Sequence, residues 1–128
     1  MPLTIALVDD SPTIRQALRT FFEANTDWKI CGEAENGAAA IELDQRLRPD
    51  LLVLDLSMPV MNGLEAARNI GVISPKTGIV LFTAHSTQQL LADATGIGIR
   101  AVVQKDGNST LQVLLKSLRE AAGPARAA

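Results

Sequence analysis

The chain has 128 residues, of which 47% are apolar and only 3% are aromatic. This length suits one domain with an aliphatic core, because a domain of this size buries roughly two-thirds of the surface of its unfolded chain. The net charge of −2, without long runs of like charge, argues against a direct nucleic-acid or membrane surface. The apolar runs are too short to span a bilayer, and Asp9 comes too early for a signal peptide, so we expect a cytoplasmic protein.

Strand-like and helix-like segments alternate along the chain. Apolar runs predict strands over residues 4–8, 28–34, 51–55, 79–83 and 101–104. Helical spacing and capping patterns predict five helices. The first is capped by Ser11 and places Ile14, Ala17, Leu18 and Phe21 on one face, and the second covers residues 37–47. The third is opened by Asn62 and Glu65 and runs to about residue 70, the fourth covers residues 87–95, and the last is opened by Ser109 and Gln112 and buries Leu111, Leu114, Leu115 and Leu118.

Short strands that alternate with helices need right-handed crossovers, which place the strands parallel in one sheet covered on both faces. The continuous apolar run of residues 51–54 fits a strand buried on both sides. We therefore predict one α/β domain over residues 1–122. Residues 123–128 are predicted to form a C-terminal tail or the start of a linker.

Charged side chains follow three of the predicted strands. Asp9 and Asp10 follow the first strand, Asp55 ends the third, and Lys105 follows the fifth. Because the carboxyl ends of parallel strands meet at one edge of the sheet, we expect these groups to share a crevice. Two negative charges about 4 Å apart cost on the order of 4 kcal/mol at an effective dielectric constant near 20, so the cluster favours a bound cation. Mg²⁺ suits an oxygen ligand set, and the sequence predicts a site for this metal and a phosphate.

Other patterns have simpler interpretations. The lone Cys31 excludes an internal disulfide and is more often a buried structural thiol than a reactive one. The glycine pattern of residues 96–101 precedes a strand, whereas a dinucleotide-binding fingerprint must follow one. No glycine-rich loop ends in Lys-Ser or Lys-Thr, which excludes a P-loop. His85 fits a solvent-facing loop residue, with a role in tuning dephosphorylation as the sharper alternative.

The sequence resembles the receiver domains of bacterial two-component response regulators. The resemblance covers nearly the whole chain and is carried by motifs at the predicted strand ends: Val8-Asp9-Asp10-Ser11, Asp55-Leu56-Ser57-Met58-Pro59-Val60-Met61-Asn62-Gly63, Thr83-Ala84 and Lys105-Asp106-Gly107. Residues 32–37 and 55–65 look most like receivers that precede a helix-turn-helix output domain. The family fold is a flavodoxin-like (βα)₅ sheet with strand order 2-1-3-4-5. Each motif is weak alone, but together and in this order they are specific.

The resemblance implies a role for each matching residue. Asp55 is expected to accept the phosphoryl group, and Thr83 and Lys105 to bond it after transfer. Asp9, Asp10, Asp55 and the backbone carbonyl of Ser57 are expected to hold Mg²⁺, with Asp9 acting through water. The chemistry agrees, because phosphoryl transfer depends mainly on positioning and charge neutralisation. The domain is then a regulatory one that assists only its own phosphorylation and dephosphorylation, rather than an enzyme.

The resemblance also implies partners. The expected phosphodonor is a histidine kinase or a phosphotransfer protein, and the expected output surface is the fourth helix, the fifth strand and the fifth helix, facing an output domain or a partner protein. Whether phosphorylation causes the domain to dimerise is left open. The chain departs from the family at Val102, where receivers usually carry Tyr or Phe to report phosphorylation.

Three functions therefore remain open. The first is a phosphorylation-controlled switch. The second is a constitutive, phosphate-independent interaction module, which Val102 makes conceivable. The third is a small Mg²⁺-dependent phosphatase, which would need a second acid and a cap over its site, and 128 residues leave no room for a cap.

Overall fold

The computed structural model describes residues 2–106 and 109–123, which form a five-stranded parallel sheet flanked by helices. In chain order the elements are β1 (Thr4–Val8), α1 (Pro12–Asn25), β2 (Lys29–Ala34), α2 (Gly37–Leu47), β3 (Leu51–Leu54), α3 (Gly63–Ile73), β4 (Gly78–Thr83), α4 (Gln88–Gly96), β5 (Ala101–Gln104) and α5 (Thr110–Ala122). The strand order is β2-β1-β3-β4-β5, and each neighbouring pair is parallel. The predicted α/β fold and its strand order are confirmed.

Two apolar clusters cover the two faces of the sheet. On one face, α2, α3 and α4 pack through residues such as Leu43, Ile70 and Leu90. On the other face, α1 and α5 pack through residues such as Phe22 and Leu118. Successive residues of β3 alternate between the two clusters, so all of this central strand is buried, as its apolar sequence predicts.

Most predicted caps form. The Ser11 hydroxyl accepts a hydrogen bond of 3.2 Å from the Ile14 N–H, and the Asn62 side chain accepts one of 3.0 Å from the Glu65 N–H. The predicted capping bond of Ser109 is wrong, because this side chain makes no such bond. The backbone of Ser109 has φ −116° and ψ 19°, which is outside the extended conformation that usually aims an N-cap side chain at the helix.

The element boundaries shift by a few residues from prediction. The α3 helix runs to Ile73, three residues beyond its predicted end, and Trp28 and Asp55 lie just outside β2 and β3. In α1 the buried residues are Leu18 and Phe22, whereas Ala17 is exposed. In α5, Leu114, Leu115 and Leu118 are buried as predicted, and Leu111 is only half-buried.

Two smaller predictions concern Cys31 and the glycine-containing segment of residues 96–101. Cys31 is half-buried against the α2–α4 side of the sheet, and burial raises the pKa of its thiol, which agrees with a structural role. Residues 96–101 form the end of α4, a turn with Gly98 at φ +88°, and the start of β5, as expected for a helix stop.

The domain boundary at residue 122 stays a prediction. Residues 124–128 of the predicted tail lie outside the described residues, as does Gly107 of the Lys105-Asp106-Gly107 motif. Within residues 2–106 and 109–123, no helix is both long enough and apolar enough to cross a membrane.

Candidate functional site

The sheet register brings the predicted site residues to one edge. Val8 at the end of β1 pairs with Leu54 at the end of β3, so Asp9 and Asp55 leave the sheet side by side. The backbone continues this alignment, since the Asp55 N–H donates to the Val8 carbonyl at 2.9 Å. On the other side of β3, Thr83 ends β4, and its carbonyl accepts a 2.8 Å hydrogen bond from the Lys105 N–H.

Three carboxylates meet at this edge. One carboxylate oxygen from each of Asp9, Asp10 and Asp55 lies within 4.8 Å of the other two. Asp9 and Asp55 are buried, with exposed fractions of 2% and 5%, whereas Asp10 is exposed. A hard, oxygen-only donor set of high negative charge fits Mg²⁺, so the residues present match the metal that the sequence predicts.

Lys105 lies between two of these carboxylates. Its ammonium donates to Asp9 Oδ2 at 2.7 Å and lies 3.3 Å from Asp55 Oδ1. The ammonium also lies 5.8 Å from the centre of the Phe82 ring, a distance at which a cation is attracted to the ring face. Lys105 therefore compensates part of the negative charge of the cluster.

The electrostatic environment shifts two pKa values. Burial, followed by the charge of Asp9, raises the pKa of the Asp55 carboxyl, although the charge of Lys105 acts in the opposite direction. For Lys105, burial lowers the pKa, but the hydrogen bond and charge of Asp9 together with Asp55 outweigh it and hold the pKa above its ordinary value. The lysine thus stays charged, and the cluster disfavours the ionised form of Asp55 until another cation binds.

The hydroxyl of Thr83 is engaged with the loop that follows β4. It is 2% exposed, donates to the His85 carbonyl at 3.1 Å and accepts from the His85 N–H at 3.4 Å. The His85 residue is exposed, in agreement with a solvent-facing loop position. Thr83 therefore couples the edge of the site to the backbone before α4.

The loop between β3 and α3 passes close to Asp55. A Cβ atom on Gly63 would lie 2.2 Å from the Asp55 carbonyl oxygen, so only glycine fits there. Val60 has φ 71°, a left-handed conformation that β-branched residues rarely adopt, and the Met61 N–H donates across it to the Pro59 carbonyl at 2.8 Å. Such strain often marks a functional loop.

Ser57 belongs to the same loop and is exposed. The role of its backbone carbonyl as a metal ligand stays a prediction. The structure thus brings together Asp9, Asp10, Asp55 and Lys105 in direct proximity.

Two sets of contacts near the site were not predicted from the sequence. The Arg15 guanidinium on α1 donates to the backbone carbonyl of Asp9 and to Glu33. The N–H of Gly37 donates to the Met61 carbonyl at 3.1 Å, which fixes the β3–α3 loop to the start of α2. The contacts with Glu33 and Met61 join segments that are distant in the chain, and no local pattern signals them.

Comparison with known proteins finds similarity over most of the chain. The family model "Response regulator receiver domain" matches residues 5–119. The nitrate/nitrite response regulator protein NarL of Escherichia coli K12 is 37% identical over 121 residues, which covers 94% of this chain and 55% of that protein. The chain spans about half the length of NarL and of several other curated relatives that it matches.

Two solved structures are similar over almost the whole chain. A two-component response regulator of the LuxR family from Aurantimonas sp. SI85-9A1 has a TM-score of 0.86 and 28% identity, covering 99% of this chain and 94% of that one. RcsB from Salmonella enterica serovar Typhimurium, bound to promoter rprA in the presence of the phosphomimetic BeF₃⁻, has a TM-score of 0.81 and 26% identity, covering 92% of this chain and 66% of that one.

Proposed function

This chain belongs to the family of response regulator receiver domains, and we propose that it is a phosphorylation-controlled switch whose phosphoacceptor is Asp55. The observation that carries this proposal is the position of the Asp55 carboxyl, which is 5% exposed and lies close to two other carboxylates and to the Lys105 ammonium. A nucleophilic carboxylate needs no general base, and an ammonium and a metal suffice to neutralise the incoming charge.

The proposed donor is a phosphohistidine on a histidine kinase or a phosphotransfer protein. An Asp55 carboxylate oxygen forms a bond to phosphorus while the bond from phosphorus to the donor imidazole nitrogen breaks, and the electron pair of that bond stays on the nitrogen. Lys105 holds a positive charge 3.3 Å from Asp55, where negative charge accumulates. The Thr83 hydroxyl is the proposed donor to a phosphoryl oxygen after transfer.

Asp9, Asp10 and Asp55 would hold Mg²⁺, together with the backbone carbonyl of Ser57. Bound there, the metal would supply positive charge to the phosphoryl oxygens. The chemistry of the donor set supports this assignment, because three carboxylate oxygens converge within 4.8 Å. Asp10 is the proposed direct ligand and Asp9 the ligand through water.

Phosphorylation of this domain would change its binding to an output domain or a partner protein. The proposed surface consists of α4, β5 and the exposed side of α5. Similarity to NarL, a nitrate/nitrite response regulator protein, and to RcsB, which was solved bound to a promoter, supports a transcriptional output.

The test is incubation with Mg²⁺ and a small phosphodonor such as acetyl phosphate, followed by intact mass measurement. We expect a gain of one phosphoryl group in the wild type and none in Asp55→Asn, because an amide is not a nucleophile. Asp27→Asn is the matched control, since Asp27 is exposed and away from the cluster. Phosphorylation of Asp55→Asn under the same conditions would exclude Asp55 as the acceptor.

Val102 favours a second candidate, a constitutive module that signals without phosphate. This side chain is half-buried against the α2–α4 cluster and lacks the aromatic ring of most receivers. Under this alternative, the affinity for the partner would be equal for the phosphorylated and unmodified protein.

A further inference from the structure

The Arg15 side chain on α1 contacts the residue that follows β1 and a residue of β2, next to the acidic cluster. Its Nη1 atom donates to the backbone carbonyl of Asp9, and its Nε atom donates to Glu33 Oε1 at 2.9 Å. Arg19, one helical turn further along α1, donates to the other oxygen of Glu33 at 2.6 Å and makes no hydrogen bond to Asp9 within the described part of the chain. The Arg15 side chain is 17% exposed, so the pairs are partly shielded from solvent.

The carbonyl that Arg15 binds belongs to the peptide that leads from Asp9 into Asp10. The Asp9 carboxylate has its own anchors, since Oδ1 accepts from the Ser11 N–H at 2.9 Å and Oδ2 accepts from Lys105 at 2.7 Å. The exposed Asp10 carboxylate shows no comparable side-chain anchor among the described residues. The direction of Asp10 therefore depends on how its preceding peptide is oriented.

We propose that Arg15 is a positioning residue, which orients the Asp9–Asp10 peptide so that the Asp10 carboxylate points into the cluster. Glu33 holds the Arg15 guanidinium in place from the end of β2. This inference rests on the proposed function, in which Asp10 is a direct Mg²⁺ ligand. Groups that orient the ligands of a metal commonly change its affinity about 10- to 100-fold when they are removed.

A positioning role and a purely electrostatic role of Arg15 predict opposite changes in Mg²⁺ affinity when the side chain is removed. A cation near the cluster repels Mg²⁺, so removal of its charge alone would tighten Mg²⁺ binding. Loss of an orienting hydrogen bond would instead weaken it. Arg15 and Arg19 carry the same charge on the same face of α1 and share Glu33, but only Arg15 contacts the Asp9 carbonyl in the described residues. Arg19 therefore provides a matched control for charge.

The experiment is calorimetric titration of the whole chain with MgCl₂, using the wild type, Arg15→Met, Arg15→Lys, Arg19→Met and Asp10→Ala. We expect Arg15→Met to raise the Kd for Mg²⁺ about tenfold and Arg19→Met to change it less than about twofold. Arg15→Lys should recover only part of the affinity, because an ammonium lacks the planar, multi-donor guanidinium group that reaches both Glu33 and the Asp9 carbonyl. In metal-free ¹H–¹⁵N spectra, the Asp10 amide should shift in Arg15→Met and stay in place in Arg19→Met.

The outcomes separate this inference from the proposed function. Equal Kd values for Arg15→Met and Arg19→Met, or tighter binding by Arg15→Met, would overturn the positioning role while Asp10-dependent Mg²⁺ binding stands. Equal Kd values for the wild type and Asp10→Ala would overturn the proposed metal site and the inference together. The far-UV circular dichroism and melting temperature of each metal-free variant show whether it is folded, and Arg15→Lys supplies the comparison if Arg15→Met is not.

Discussion

Lys105 Nζ lies 2.7 Å from Asp9 Oδ2 but 3.3 Å from Asp55 Oδ1, so the ammonium pairs more closely with Asp9 than with the proposed phosphoacceptor. The buried Asp55 thus has a weaker partner, which agrees with the raised pKa of its carboxyl. The same arrangement keeps a cation beside Asp55 without a tight bond that an incoming phosphoryl group would have to replace.

Asp10 and Lys105 should contribute differently to metal binding. We expect Asp10→Ala to weaken Mg²⁺ binding about tenfold or more, because it removes a charged oxygen from the cluster. Lys105→Ala should not weaken Mg²⁺ binding, and the loss of its positive charge should tighten it. The same variant should slow phosphorylation of Asp55, since it removes the ammonium 3.3 Å from that carboxylate. Calorimetry gives the Kd, and the rate of mass gain with acetyl phosphate gives the second effect. Equal losses of Mg²⁺ affinity in the two variants would contradict this division.

Asp55 should make the metal-free protein less stable at neutral pH. Its pKa in the folded state lies above the ordinary value of 3.8, so the folded chain keeps this proton to higher pH than the unfolded chain does. The contribution of the group to stability is fully present below pH 3.8 and is lost as the pH rises through the folded-state pKa. We therefore expect Asp55→Asn to raise the melting temperature at pH 7 without Mg²⁺ by a few degrees, about what 1 kcal/mol gives in a small domain.

Thermal unfolding between pH 7 and pH 4 measures this effect. The difference between Asp55→Asn and the wild type should shrink as the pH falls and also when Mg²⁺ is added to the wild type. Asp27→Asn removes an equal charge at an exposed position and should show neither trend. A melting temperature of Asp55→Asn below that of the wild type at pH 7 would contradict the prediction.

Gly63 should be intolerant of a side chain. Gly63→Ala would place its Cβ 2.2 Å from the Asp55 carbonyl oxygen, and we expect a loss of roughly 1–3 kcal/mol in the free energy of unfolding. The control is Gly96→Ala, because a Cβ there meets no atom of the described residues within 4 Å, and alanine should stabilise the end of α4 by up to about 1 kcal/mol. Urea unfolding measures both values. Similar effects at the two positions would disprove the close contact.

The side chains that meet at the carboxyl edge of the sheet can be predicted from the sequence for a physical reason. Polar residues that directly follow apolar strands must emerge at the carboxyl edge of a parallel sheet, and this places Asp9, Asp55 and Lys105 together before any coordinates are known. Helix caps are also local, and those of Ser11 and Asn62 form as predicted.

Contacts between distant segments are what the sequence does not reveal. Asp44 on α2 is 0% exposed, and its carboxylate accepts a 2.7 Å hydrogen bond from the Ser74 hydroxyl, 30 residues along the chain. A charged residue in a helix is ordinarily expected at the surface. Only the three-dimensional meeting of α2 with the turn after α3 supplies the hydroxyl that makes its burial tolerable. The Arg15 contact with Glu33, 18 residues along the chain, has the same origin.

The last prediction concerns how phosphorylation reaches the partner surface. The Thr83 hydroxyl bonds the His85 backbone in the unmodified protein, and a phosphoryl group on Asp55 would compete for it. Most receivers then move an aromatic ring, but Val102 is a short β-branched side chain with few rotamers, half-buried against the cluster that contains Leu90. We therefore expect the loop after β4 and the α4 helix to move instead, with Gly98 at φ +88° at the compliant end.

Amide hydrogen exchange with BeF₃⁻ and Mg²⁺, compared with Mg²⁺ alone, checks this expectation. Protection should change in the loop at His85, in α4, in β5 and on the exposed side of α5, where the solvent-facing side chains are Gln112, Val113, Lys116 and Arg119. Asp55→Asn should show no change, because BeF₃⁻ acts by attaching to the acceptor carboxylate. Changes confined to residues 11–22, on the opposite side of the domain, would mean that the signal leaves through α1, and the proposed output surface would be wrong.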